Sequence, residues 1–139
     1  MQKKKSSGFT LLELLIALAI LAVIAAIIIP NFFATTDRAR LRSDIQSARV
    51  IQNARELYRA ERGGLPAGAN MEAILNTLET AGFIRARDTD IQTEGATWET
   101  HATLGVVVNI QHSADGVHSA YAGLSDSERQ LVINGRSGN

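Results

Sequence analysis

Phe9 to Ile29 is an apolar run of 21 residues whose only polar side chains are Thr10 and Glu13. As a helix rising 1.5 Å per residue it reaches about 30 Å, the thickness of a bilayer core. Lys3, Lys4 and Lys5, the only lysines in the chain, stand just before it. Positive charge on that side predicts a single pass with the N-terminus cytoplasmic and the remainder translocated. An ordinary secretory signal peptide is the competing account. It fits poorly, because the run exceeds the roughly 7–15 residues of a signal h-region and no small-x-small cleavage site ends it.

Glu13 is the anomaly in this run. A carboxylate within a membrane span is unfavourable by about 2.5–3.5 kcal/mol at mid-depth and by less near the interface, so it needs a reason. A carboxylate that only snorkels to the interface would give one. A second comes from its neighbours. Gly8-Phe9-Thr10-Leu11-Leu12-Glu13, followed by Leu14-Leu15-Ile16 and an apolar helix, closely resembles the start of type IV pilins and pseudopilins. The match covers Lys3 to about Asn31, with leader lysines, glycine, aromatic, threonine and glutamate in the same order. The resemblance implies that a prepilin peptidase cuts after Gly8 and N-methylates the new terminus, Phe9. It also implies that Glu13 of an incoming subunit pairs with the freed amine of its neighbour and sets the register of assembly. The chemistry suits these roles. Glycine lets a peptidase approach the backbone closely. Two opposite charges in hydrocarbon each need a partner, and a buried ion pair is better suited to fixing register than to adding stability.

Pro30 follows the apolar run and would end or kink a helix. Helical spacing nevertheless resumes beyond it, with Leu41, Ile45, Ala48, Ile51, Ala54 and Tyr58 three or four residues apart. Gly63-Gly64 and Pro66 then stop it. The pattern predicts one long helix from about Phe9 to Arg62, kinked near Pro30. Three regions result: a leader over 1–8, a helix over 9–62 and a head over 63–139. The helix divides into a transmembrane or filament-core half over 9–29 and an amphipathic stem over 30–62. Many members of the resembled family have a second soft point, a glycine, where this chain has Ala22.

Charge is balanced in total, at 14 residues of each sign, but not along the chain. Residues 37–62 hold seven arginines against four acids, and 63–139 hold four arginines against nine acids. A basic stem therefore carries an acidic head, and stem arginines are candidates for contact with heads of neighbouring subunits. Nucleic acid is a weaker partner for this stripe, because acids interrupt it and nothing marks a phosphate-specific site. With no cysteine, disulfides and thiolate metal sites are excluded.

The head reads as the α+β part of the fold. Asn70 can cap a helix over 71–81, with Ile74, Leu75 and Leu78 on its buried face and Gly82 as its stop. Leu104, Val106, Val108 and Ile110 alternate as a strand. Asp115-Gly116 has the composition of a two-residue hairpin turn, which predicts a returning strand over 117–121, with 131–133 as a third member of a small antiparallel sheet. In that register Ile110 faces Tyr121, with Val108 and Val117 on the same face, and His112 and His118 lie on opposite faces, unable to share a metal. His101 lies outside the hairpin. Trp98 is expected as a core or sheet-edge anchor. No paired-carboxylate or nucleophile–base spacing stands out, so neither an enzyme nor a bound cofactor is expected. The Asp-Pro-Trp-Gly stretch of calcium-binding major pseudopilins and the C-terminal disulfide loop of many Gram-negative pilins are both absent.

The function implied is that of a prepilin. It is held in the bilayer, processed by the peptidase and handed by an inner-membrane assembly platform into a helical polymer of identical or related subunits outside the cytoplasm. A pseudopilin of secretion or DNA uptake is the first alternative. A single-pass anchored binding module that never polymerises is the second, and it predicts an uncut Gly8–Phe9 bond and a dispensable Glu13.

Overall fold

The structure, a computed structural model, describes residues 9–135. Helix α1 (Leu11–Arg62) comes first and runs through Pro30 as helix. It is followed by α2 (Met71–Thr80), a 3-10 turn (Ala86–Asp88), β1 (Thr97–His101), β2 (Gly105–Asn109), α3 (Asp115–Ala122), α4 (Asp126–Arg129) and β3 (Val132–Ile133). The chain divides into two compact units, Met1–Phe33 and Ala34–Asn139.

In the first unit the apolar side chains of α1 have no core to enter. Leu12, Leu15, Ile20 and Ile27 are among those more than half exposed. The segment is long and apolar enough to cross a membrane. A helix apolar on every side needs lipid or other apolar helices around it, because a polar solvent leaves the whole perimeter unburied.

The second unit builds a core on the stem half of α1. Leu41, Ile45, Ala48, Ile51 and Ala54 are buried with Tyr58 packed beside them, the face that the spacing predicts. Arginines occupy other positions on the same helix. Asn70 caps α2, its side chain accepting from the Ala73 amide at 2.9 Å. At the other end Gly82, at φ +80°, turns the chain back. The Gly82 amide bonds to Glu79 O and the Phe83 amide to Leu78 O, both at 2.9 Å, the paired pattern of a Schellman stop. Phe83 then meets Tyr58 edge to face at 5.5 Å.

The sheet is small and mixed, in the order β1-β2-β3. Its antiparallel pair is β1 with β2, from Thr97 opposite Asn109 to His101 opposite Gly105. Strand β2 is central. Val106, Val107 and Val108 are all fully buried, so both faces of this strand are covered, where alternation along 104–110 leads one to expect a single buried face. Trp98 sits on edge strand β1 and packs against the core, its indole N–H donating to Thr89 O at 2.7 Å.

Two expectations for the sheet are corrected. Residues 117–121 are not a strand: Asp115-Gly116 opens helix α3. Val117, Ala120, Tyr121 and Leu124 recur at helical spacing, and Val117, Ala120 and Leu124 are buried. That periodicity prevails over the turn composition. Gly116 does not have the positive φ that a primed hairpin turn needs. It lies against Asp37 instead, where an added Cβ would stand 2.6 Å from the carboxylate. The second correction follows from the first. Because α3 and α4 carry the chain across, β3 returns parallel to β2, with Val108 opposite Val132.

Candidate functional site: the start of the long helix

Thr10 precedes α1 and Glu13 lies in its first turn. The Glu13 carboxylate accepts from the Thr10 amide at 2.8 Å and from the Thr10 hydroxyl at 3.0 Å. In return the Thr10 hydroxyl oxygen accepts from the Glu13 amide at 3.2 Å. This reciprocal arrangement is a capping box: two helix-start N–H groups that lack intrahelical partners are satisfied by side chains three residues apart. A negative group at this end also suits the positive pole of the helix. Thr10 is the participant that a reading centred on Gly8, Phe9 and Glu13 overlooks, although threonine and glutamate at this spacing signal the box in the sequence itself.

The Phe9 ring stands clear of the helix, 79% exposed. Gly8 and the leader charges Lys3, Lys4 and Lys5 lie outside the described residues. The structure therefore brings Thr10 and Glu13 together directly after Phe9, on the only part of α1 where a carboxylate interrupts the apolar run.

Residues 3–29 match the family model described as the prokaryotic N-terminal methylation motif. The chain is 29% identical over 77 residues to type II secretion system core protein G of Aeromonas hydrophila, covering 55% of this chain and 54% of that protein. It is 40% identical over 60 residues to prepilin peptidase-dependent protein A of Clostridium perfringens, 43% of each. A longer match, 27% identical over 111 residues, runs through 80% of this chain and 84% of the type IV narrow pilus major component PilA5 of Thermus thermophilus. The N-terminal segment carries the prepilin-type methylation motif, and the chain is similar to type IV pilins and type II secretion pseudopilins. It spans about half the length of the first curated relatives it matches. No solved structure matches it significantly.

Beyond the helix start, the stem half of α1 holds the head. Three stem side chains pin the head. Asp44 is fully buried, and its two carboxylate oxygens accept from the amides of Gln92 and Thr93, each at 2.8 Å. Gln52 accepts from the Val106 amide at 3.1 Å and so holds the start of β2. Arg42 pairs with Glu128 at 3.2 Å. Glu128 also closes a capping box with Ser125, and the Ser125 amide is the main cause that holds its carboxyl below the usual carboxylate range. Asp44 could have been flagged in advance, since it lies three residues after Leu41 and four before Ala48 on the buried face. Gln52 gives no such signal.

The histidines are placed differently from the hairpin register. His112 is exposed in the loop before α3. His118 is on α3 itself, half-buried, with Nδ1 2.7 Å from Asn134 Oδ1. His101 ends β1, and its Nδ1 accepts from the amides of Thr103 and Leu104. Among the described residues no three His, Asp or Glu side chains come together as a metal cluster.

Proposed function

We propose that this chain is the structural subunit of a type IV pilus or a related filament. In this account the 9–29 segment holds it in the cytoplasmic membrane with its N-terminus inside. Prepilin peptidase hydrolyses the Gly8–Phe9 bond, leaving a carboxylate on Gly8 and an amine on Phe9, and then methylates that amine. An assembly platform transfers the subunit from lipid into a helical polymer, where the apolar perimeter of α1 is buried among identical or related helices. Pro30, which has no amide hydrogen to donate to Ala26, is the place where α1 would bend during that transfer. No catalytic step is assigned to the chain.

The observation that carries this proposal is the Glu13 carboxylate, bonded to Thr10 at the head of an exposed apolar helix. Before cleavage one of its oxygens, Oε2, accepts two hydrogen bonds from Thr10, so part of its polar demand is met locally while its charge still lacks a counter-ion. After cleavage a methylated ammonium exists on Phe9. A charge-assisted contact with such a cation is about twice as strong as one with a neutral amide or hydroxyl. An incoming Glu13 can therefore exchange its local partners for the amine of a neighbour.

Mass spectrometry of the mature chain tests the processing. N-methyl-phenylalanine at Phe9 is expected, and an intact Met1 would count against the whole scheme. Glu13→Val tests assembly: the variant should insert in membranes at parental levels and yield no filaments. Normal filaments from Glu13→Val would remove the register role. A pseudopilus is the second reading, favoured by the similarity to several core G proteins of type II secretion. Recovery of long filaments by shearing cells selects the pilus, and a filament confined to the envelope selects the pseudopilus.

A further inference from the structure

The 34–139 unit carries exposed groups of both signs on its surface. Among the described residues two ion pairs form, Arg42 with Glu128 at 3.2 Å and Arg129 with Asp126 at 3.8 Å. Arg55 and Arg59 on α1, Glu72 on α2 and Asp90 before β1 belong to neither.

The first two line a cleft of about 270 Å³, together with Gln52, Glu56, Leu65 and His101. Two of its side-chain acceptor atoms, Gln52 Oε1 and Glu56 Oε1, are engaged within the stem and its sheet, and against the single Glu56 carboxylate stand two guanidinium groups. Gln52 Oε1 takes the Val106 amide and Arg55 Nη1, at 3.1 and 3.3 Å. Glu56 Oε1 takes Gln52 Nε2 at 2.7 Å. The donors are not used up. Arg55 Nε is shielded from solvent and has no acceptor. His101 Nδ1 accepts two backbone amides, so the ring proton resides on Nε2, which is a donor. Arg59 adds a second guanidinium. Beside these donors the Leu65 side chain is 59% exposed. The complement of this surface is a carboxylate next to an apolar hollow.

The same unit carries that complement at the opposite end of β1. A shallow groove with Met71, Leu75, Ile91 and Trp98 as its apolar lining is flanked by Glu72 and Asp90, both exposed. Because the two complementary surfaces are different patches, contact between copies is heterologous. Heterologous contacts that do not close on themselves propagate as helical filaments, whereas a self-complementary patch closes a dimer.

We propose that the Arg55–Arg59–His101 cleft of one copy receives Glu72 and Asp90 of a second copy, with Leu65 of the first seated in the Met71–Leu75–Ile91–Trp98 groove. This deepens the filament proposal and rests on it. Opposite charges at the rim guide the approach and penalise wrong registers, and the apolar contact supplies burial.

The chain has no cysteine, so a pair introduced across the contact reports it cleanly. The full-length double variant Arg59→Cys with Glu72→Cys, oxidised in sheared filaments and separately in detergent-solubilised membranes, should give a ladder of cross-linked multimers. Each single variant should give no ladder. In parallel, Arg59→Glu and Glu72→Arg should each reduce filament recovery severalfold, and the two combined should restore it. All are exposed positions, and unchanged Trp98 fluorescence melts would verify the folded head. A single cross-linked dimer with no higher species would overturn the heterologous geometry. Cross-links only to another protein would overturn the second copy as occupant. Filaments at parental abundance in both reversals, without a ladder, would overturn the proposal while leaving the filament function intact. If the parent forms no filament, the filament function fails; a ladder in detergent still supports the contact, and monomers alone sink it.

Discussion

Helix α1 carries one carboxylate in each half that is held by backbone amides, and the two are held in opposite ways. Glu13 is exposed and draws its partners from Thr10, three residues away. Asp44 is fully buried and draws its partners from Gln92 and Thr93, 48 and 49 residues away. The same contrast holds for most apolar side chains of the helix: the described ones in the first unit are exposed, whereas Leu41, Ile45, Ala48, Ile51 and Ala54 in the second are buried in a core. A segment whose polar needs are met locally can move from one apolar surrounding to another without unfolding. One whose needs are met by distant loops is committed to a single fold. Under the proposed function, the first half of α1 would exchange lipid for a filament and the second would carry the head.

The contrast is broken most severely by making the same substitution in both halves. Leu41 is fully buried and Leu14 is 52% exposed. Leu41→Ala should destabilise the head by about 2–5 kcal/mol, transfer and cavity costs together. At about 4–8 °C per kcal/mol, that lowers its melting temperature by roughly 10 °C or more. Leu14→Ala should leave it in place. Trp98 is the only tryptophan and lies in the head, so its fluorescence in detergent-solubilised full-length protein reads that unit alone. Equal shifts for the two variants would mean that the halves are not energetically separate.

The carboxylates provide the next comparison. Asp44→Asn replaces one acceptor oxygen with a donor facing a backbone amide, which should cost about 1–3 kcal/mol of head stability. Glu13→Gln should not move the Trp98 melt, and its effect should appear as faster hydrogen exchange at the start of α1. A smaller effect of about 1–2 kcal/mol is expected for Gly105→Ala. Gly105 has φ +81°, a conformation unfavourable for alanine. The new methyl would also collide with the Gln52 amide that receives Val106 N. A smaller Gly105→Ala cost in a Gln52→Ala background than in the parent would show that the collision, rather than the φ angle, dominates.

What was legible follows the range of the interactions involved. The apolar run, the stem face from Leu41 to Tyr58 and the Asn70 cap with its Gly82 stop are periodic or local signals, and the fold realises them. The Thr10–Glu13 box was equally local. The error at residues 115–121 came from weighting a two-residue turn signal above the 117, 120, 121, 124 spacing, which is short but helical. The parallel return of β3 depends on where α3 and α4 place the chain, and no local pattern contains that. The Arg55 cleft forms only when the β1–β2 turn meets the stem, so its residues are legible singly and their convergence is not.

The smallest expected effect is a pH dependence confined to the second unit. The Glu128 carboxyl is held below its ordinary value of 4.5 by the Ser125 amide first, then the Ser125 hydroxyl, with a lesser contribution from Arg42. A group whose folded pKa is lowered binds protons more readily when unfolded. Its stabilisation is therefore complete above the ordinary value and fades as the pH falls through the folded one. Glu128→Gln should melt slightly below the parent at about pH 7, and the two should converge as the pH falls below 4.5. Arg42→Ala should produce a smaller gap than Glu128→Gln, because the guanidinium is half-exposed and its ion pair is screened by solvent. If Arg42→Ala instead produced the larger gap, the stem pairing rather than the α4 cap would be the main support of Glu128, and the pinning of the head would be more electrostatic than the hydrogen-bond geometry implies.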